Sequence, residues 1–212
     1  MRTALLAPVV AAALLAATGC GAQTHSPSAQ RLAALTSKGI ELDYTPLASP
    51  RDALAKGDLV VSGTLSDVTD SVALQSANPI ENERLQGTYA TFVLTADEVI
   101  SGDPSKLRDR RVYVTVNKSR STDVSALAHA NSHPRVVAVL DDISDWKPAP
   151  GVTVTKPADA PLYYAYSDGL WLQDPSAAQM TGLYAEPHEL PAAWNGPTTV
   201  AQVAAALRGA KG

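Results

Sequence analysis

The chain has 212 residues, 45% hydrophobic and 18% charged, a balance that excludes an intrinsically disordered protein and fits a globular body. Its formal net charge of −4 argues against nucleic acid as a partner, because proteins that bind phosphate backbones carry a basic surplus. The single cysteine, Cys20, excludes an internal disulfide, a zinc–thiolate centre and an iron–sulfur cluster.

The N-terminus has the three parts of a secretory signal: Arg2, an apolar run from Ala4 to Ala17, and small residues leading to Cys20. The run is too short to cross a hydrocarbon core of ~30 Å, and Pro8 interrupts it. Leu15-Ala16-Ala17-Thr18-Gly19-Cys20 resembles a bacterial lipobox, with Ala17 standing where leucine is more common. The Ala-rich, Phe-poor composition suits lipoproteins of GC-rich, actinobacterial type. The resemblance implies diacylglycerol on the Cys20 thiol, with acyl chains such as palmitate, and cleavage before Cys20. Two acyl chains hold a protein stably at a membrane, whereas one gives marginal binding. The expected organisation is a signal peptide over 1–19, then a lipidated Cys20, tether and N-terminal helical segment over 20–48. One globular domain over 49–212 follows, ending in a helix.

Gly21 to Ser28 reads as a polar tether, and Ser28 to Lys38 as a helix stopped by Gly39. Ser49-Pro50-Arg51-Asp52 is a helix start, with Ser49 as cap, Pro50 at the first position and Gly57 at the end. Leu59 to Leu65 is a strand in which Gly63 marks a bulge or a close backbone approach. Ser66 to Gly87 reads as a polar loop. Thr88 to Ile100 is the clearest strand, with Ala90, Phe92, Leu94, Ala96 and Ile100 on one face, and Gly102-Asp103-Pro104 ends it. Val112, Val114 and Val116 alternate along the next strand.

Ser121 to His129 reads as a helix capped by Ser121 or Thr122, and Arg135 to Leu140 as a strand. Residues 147–161 form a Pro-rich loop. Leu162 to Tyr166 and Leu170 to Leu172 flank Ser167-Asp168-Gly169, a hairpin signal. Thr181 to Ala185 adds a strand, and Val200 to Leu207 a helix capped by Thr198 or Thr199.

Strand, strand, strand, helix, strand, strand resembles an OB-type barrel, in which a helix lies between the third and fourth strands. Gly57-Asp58-Leu59-Val60-Val61-Ser62-Gly63-Thr64 and Val99-Ile100-Ser101-Gly102-Asp103 resemble the first strands of netrin/TIMP-like barrels. The animal members of that family wedge a disulfide-bonded N-terminal cysteine into a metalloprotease. This chain has no cysteine pair, so the resemblance implies a fold alone. The expected class is mainly β (α+β): an OB-like β-barrel of about five to seven strands with short peripheral helices.

Site chemistry is sparse. His129 and His133 are four apart, with Asp141, Asp142 and Asp145 downstream, but Pro134 pushes His133 out of helical geometry and HExxH lacks its Glu. Solvent-facing histidines are the expectation, with no metal and no cofactor. No nucleophile elbow, phosphate loop or dinucleotide fingerprint occurs. Lys106, Arg108, Arg110, Arg111, Lys118 and Arg120 suit a charged edge strand, or else a surface for anionic headgroups or cell-wall polymers. Tyr164 and Trp171 are a candidate ligand face, against the reading in which both fill the barrel. The sequence thus leads to a membrane-anchored extracytoplasmic module that binds a cell-wall polymer or protein partner without catalysis. An extracytoplasmic hydrolase and a structural envelope component are the alternatives.

Overall fold

The computed structural model describes residues 28–85, 88–147, 149–157 and 160–212; Cys20, the expected signal segment 1–19 and the expected tether 21–27 lie outside them. In chain order the helices are α1 (Ser28–Ser37), α2 (Pro50–Lys56), α3 (Pro79–Leu85), α4 (Val124–Ala130) and α5 (Val200–Ala210). The strands are β1 (Leu59–Thr69), β2 (Ala73–Ser76), β3 (Tyr89–Ser101), β4 (Arg111–Asn117), β5 (Arg135–Asp142), β6 (Val152–Thr155), β7 (Leu162–Gln173) and β8 (Thr181–Gly182). Among the described residues no helix is long and apolar enough to cross a membrane.

The strands β4-β3-β1-β5-β7 form a sheet that closes when β7 pairs with β4. Every pairing in this barrel is antiparallel except the β4–β7 seam. With α4 between its third and fourth strands, the barrel is OB-like, and mainly β within an α+β chain. Closure gives β4 a partner on both sides, β3 along its whole length and β7 at Tyr113–Thr115. The expectation of an edge strand at β4 is therefore corrected, and its flanking basic residues have other work, described below.

Two cores explain why several strands are apolar without alternation. Leu59, Val61 and Leu65 point into the barrel with Phe92, Val114, Ala138 and Tyr163, and α1 and α4 plug it through Leu32 and Leu127. Val60, Val137 and Val139 face outward, where α5 lays Val200, Val203 and Leu207 over them at helical spacing. A strand buried on both faces reads as a continuous apolar run. Full burial of each such side chain stabilises by roughly 1.5–3 kcal/mol.

Local signals set the boundaries. Ser49 caps α2 by accepting from the Asp52 N–H at 3.1 Å, as its sequence predicts. Thr199 caps α5 in a reciprocal box with Gln202. The α4 cap position falls to Asp123 rather than to Ser121 or Thr122; the Thr122 hydroxyl donates instead to the Leu35 carbonyl, tying α1 down. At Gly63 an added Cβ would lie 2.1 Å from the Thr95 carbonyl oxygen, so close approach of backbones requires glycine. The β1–β3 register slips at this point and again at Val60/Val61. Those slips send Ile100 to the outer core, whereas strict alternation from Ala96 places it inside.

Other expectations change with long-range pairing. The predicted loop 66–87 contains the end of β1, β2 and α3, and the loop 147–161 contains β6. The two loops meet because β2 pairs with β6, Leu74 opposite Val154. Thr181 to Ala185 is reduced to the two-residue β8 beside Trp171 and Leu172.

Ser167-Asp168-Gly169 does not turn the chain; it forms a bulge inside the continuous β7, between the partners of Ala138 and Leu140. The bulge reverses strand parity, so Tyr163 and Leu172 face inward while Trp171 faces the outer core. The reading in which Tyr164 and Trp171 fill the barrel is corrected accordingly, with Tyr163 as the filling aromatic.

Candidate functional site

The two long loops build a groove on the outer face of β3, β4 and β7. Val72 and Leu74 come from the β1–β3 connection, Ile143, Trp146 and Val154 from the β5–β7 connection, and Tyr89, Thr115, Asn117 and Tyr164 from the barrel strands. Each loop is pinned where it enters. The Val72 N–H donates to Thr91 Oγ1 at 3.2 Å, the Ile143 N–H to the Leu162 carbonyl at 2.9 Å, and the Leu162 N–H to Ser144 Oγ at 3.1 Å. The β2–β6 ribbon sets Leu74 and Val154 side by side as one wall.

The groove encloses about 320 Å³, within the size range of small-molecule sites, and its lining is apolar with a few polar groups. Among the described residues, no carboxylate, imidazole or ammonium group belongs to that lining. Trp146 stands on it half exposed, although large aromatics ordinarily bury most of their surface. Thr115 and Tyr164 are register partners across the parallel seam. Asn117 Nδ2 donates to Tyr164 Oη, leaving the phenol proton to donate elsewhere. The Tyr184 hydroxyl holds the Asn117 carbonyl at 2.7 Å.

Burial, with Tyr89 nearby, pushes the Tyr164 phenol above its ordinary value, while the Asn117 bond works against the shift. The phenol is therefore neutral at physiological pH. Thr115 is only 5% exposed, and its Oγ1 has no hydrogen-bond partner among the described residues. A buried hydroxyl ordinarily has a partner, so this one stands out.

The residues singled out by sequence are placed differently. Tyr164 lies in the groove, but Trp171 is 1% exposed beneath α5 and offers a ligand no surface. His129 Nδ1 lies 2.6 Å from the Ser125 carbonyl and His133 Nδ1 lies 3.2 Å from the Leu65 carbonyl, so each imidazole is engaged locally. Among the described residues no three His, Cys, Asp or Glu side chains gather as a metal site.

Asp141 and Asp142 part ways, as neighbours on a strand do. Asp142 binds Lys106 at 3.1 Å. Burial opposes ionisation of Asp142, yet hydrogen bonds from Ser144 and Lys106 hold its carboxyl below the usual value. Burial and a hydrogen bond to the Asp58 carboxyl raise Asp141, which does not line the groove.

The basic series is spread over separate duties. Arg110 Nε donates to the Ala96 carbonyl at 2.6 Å beside Asp97, and the Lys118 ammonium is buried against the Thr122 carbonyl at 2.7 Å. Those two bonds fasten the ends of β4 to adjoining backbone and do not present a common cationic face.

Thr115, Tyr89 and Asn117 escape sequence reading. As the outward residues of alternating strands they look solvent-facing, and only the β2–β6 pairing covers them. No family model matches the chain, and no curated protein or solved structure matches it. The barrel topology itself is therefore the guide to where a ligand would sit. In OB folds that place is the face of the second and third strands together with the loops that follow the first and fourth. Here those parts are β3 and β4 with the loops that carry β2 and β6.

Proposed function

We propose that the protein is a membrane-anchored, extracytoplasmic binding module whose ligand occupies the groove over β3, β4 and β7. The observation that carries this reading is the buried Thr115 hydroxyl, unpartnered among the described residues, in an apolar groove to which none of them brings a charged side chain. A groove lined in this way suits binding, since nucleophilic catalysis needs a hydroxyl activated by an adjacent base. The hydrolase alternative would have only Tyr89, Tyr164 and Thr115 there, with no carboxylate or imidazole beside them among the described lining residues.

Anchoring rests on Cys20 and the apolar run before it. Two acyl chains on Cys20 would keep the barrel at the outer surface of the membrane.

Two experiments test the reading. Producing cells fed alkyne-tagged palmitate are expected to label the chain, and Cys20→Ser to abolish the label; label that persists in the variant overturns the anchor. For the groove, the mature chain 20–212 carrying Cys20→Ser is suitable, since it retains every described residue of both cores. Titrated with uncharged N-phenyl-1-naphthylamine, it is expected to give a saturable rise in probe fluorescence. Trp146→Ala should weaken that binding about fivefold or more, as loss of an aromatic wall does. A probe signal that never saturates, or one indifferent to Trp146, overturns the groove.

A further inference from the structure

The groove specifies more than a place. Its lining joins aliphatic Val72, Leu74 and Val154 to aromatic Tyr89, Trp146 and Tyr164, and among the described residues no charged side chain takes part. Charge complementarity thus favours a neutral occupant, because an ion would lose its hydration against apolar walls without a counter-charge. On one wall only, at the β4–β7 seam, two hydroxyls sit side by side: Thr115 Oγ1 without a partner, and Tyr164 Oη accepting from Asn117 with its own proton to give.

We propose that this groove takes an uncharged, ring-bearing small molecule with a largely apolar body and one hydrogen-bonding oxygen, which meets the Thr115 hydroxyl. The inference rests on the binding reading above and names its ligand class. The ring body lies against Trp146 and Tyr89, where offset stacking adds to area burial. Thr115 Oγ1 is sealed just below the groove surface, so the hydroxyl turns about χ1 to meet the ligand oxygen, which gives it the bond it lacks. A ligand without that oxygen leaves it unpaired and is discriminated against. A saccharide fits less well: its many hydroxyls would face Val72, Leu74 and Val154 without partners. Nucleic acid would bring phosphates to a lining with no cation among the described residues.

The test uses the mature chain 20–212 with Cys20→Ser and a matched pair of probes, 2-naphthol and 2-methylnaphthalene, followed by calorimetry. Naphthol is the more water-soluble of the two, so a purely apolar groove would prefer the methyl compound. The expectation is the reverse, with 2-naphthol bound about tenfold more tightly, the worth of one buried hydrogen bond. Thr115→Val should reduce that ratio to near one while leaving 2-methylnaphthalene binding unchanged. Thr115→Ser, which keeps the hydroxyl, should preserve the ratio and guards against a folding defect in the valine variant.

Equal affinities in the parent chain, or a ratio that survives Thr115→Val, overturns the ligand class. Binding of chitotriose in place of either naphthalene overturns the class but retains the groove. Failure of every probe, N-phenyl-1-naphthylamine included, overturns the groove itself.

Discussion

Thr115 on β4 and Tyr164 on β7 are direct register partners across the barrel's parallel seam, and both line the same groove. The pairing that closes the barrel therefore also places two of the groove's hydroxyls together. Tyr164 is held by Asn117, whereas Thr115 Oγ1 has no partner among the described residues.

This asymmetry makes Thr115→Val informative for stability. Valine has nearly the same shape, and replacing an unpaired buried hydroxyl removes a desolvation penalty without breaking a bond. Urea unfolding is expected to show stability unchanged or raised by up to ~1 kcal/mol. A loss of more than ~1 kcal/mol would mean that the hydroxyl serves the fold, and the ligand role would lose its basis.

What the sequence makes legible is the part of the fold governed by local chemistry. Ser49 and Pro50 start α2, Thr199 and Gln202 start α5, and Gly63 marks the close approach to Thr95, because each acts on residues or a neighbouring strand within a short reach. The groove is less legible because it depends on pairings distant in sequence. β2 and β6 are four residues each, and Leu74 meets Val154 only after the barrel has brought the two loops together. Asp168-Gly169 misleads for a related reason: the Asp168 carboxylate is used as a buried acceptor for the Leu47 N–H at 2.7 Å, so the segment bulges within β7 and does not turn. That bulge also decides which aromatics face inward, so the separation of Tyr164 from Trp171 could not come from alternation alone.

Gly63→Ala tests the close approach directly. Its Cβ would fall 2.1 Å from a backbone oxygen in the paired strand, which cannot rotate away as a side-chain tip can. A loss of about 1–3 kcal/mol is expected from the forced shift. Gly209, inside α5 with open space around its Cβ position, is the control: Gly209→Ala should gain up to ~1 kcal/mol through helix propensity. Thermal or urea midpoints of the two variants should move in opposite directions; a neutral Gly63→Ala would refute the contact.

Leu47 is gripped at both ends of its peptide environment. Its N–H is held by Asp168, and its carbonyl accepts from Trp194 Nε1 at 2.8 Å, all in the buried outer core. Trp194→Phe keeps an aromatic ring but removes the donor, leaving a buried carbonyl unpaired at a cost of about 1–3 kcal/mol. Amide hydrogen exchange should show faster opening around residues 44–48 in this variant, whereas protection of the barrel strands should be retained. Unchanged exchange at Leu47 would show that the indole bond contributes nothing to holding this segment.

Asp168 gives the chain a titration signature of defined sign. Burial pushes its carboxyl above the ordinary value of 3.8, with the Leu47 N–H pulling the other way, and Oδ1 lacks a partner among the described residues. Because the folded pKa is the higher one, the folded chain binds the proton more readily than the unfolded chain between 3.8 and that raised value. Stability from this group is therefore greatest below that window, falls as pH rises through it, and is level above. Asp168→Asn keeps an oxygen for Leu47 and does not titrate. The stability of Asp168→Asn relative to the parent chain should accordingly increase as pH rises from about 3.5 and then hold steady toward 7. Groups remote from Asp168 titrate alike in both chains, so urea midpoints compared across that range report on this carboxyl and its neighbour Asp52. A difference that stays flat, or one that favours the parent chain more as pH rises, would show that the Asp168 carboxylate is stabilised in its pocket despite its unpaired oxygen.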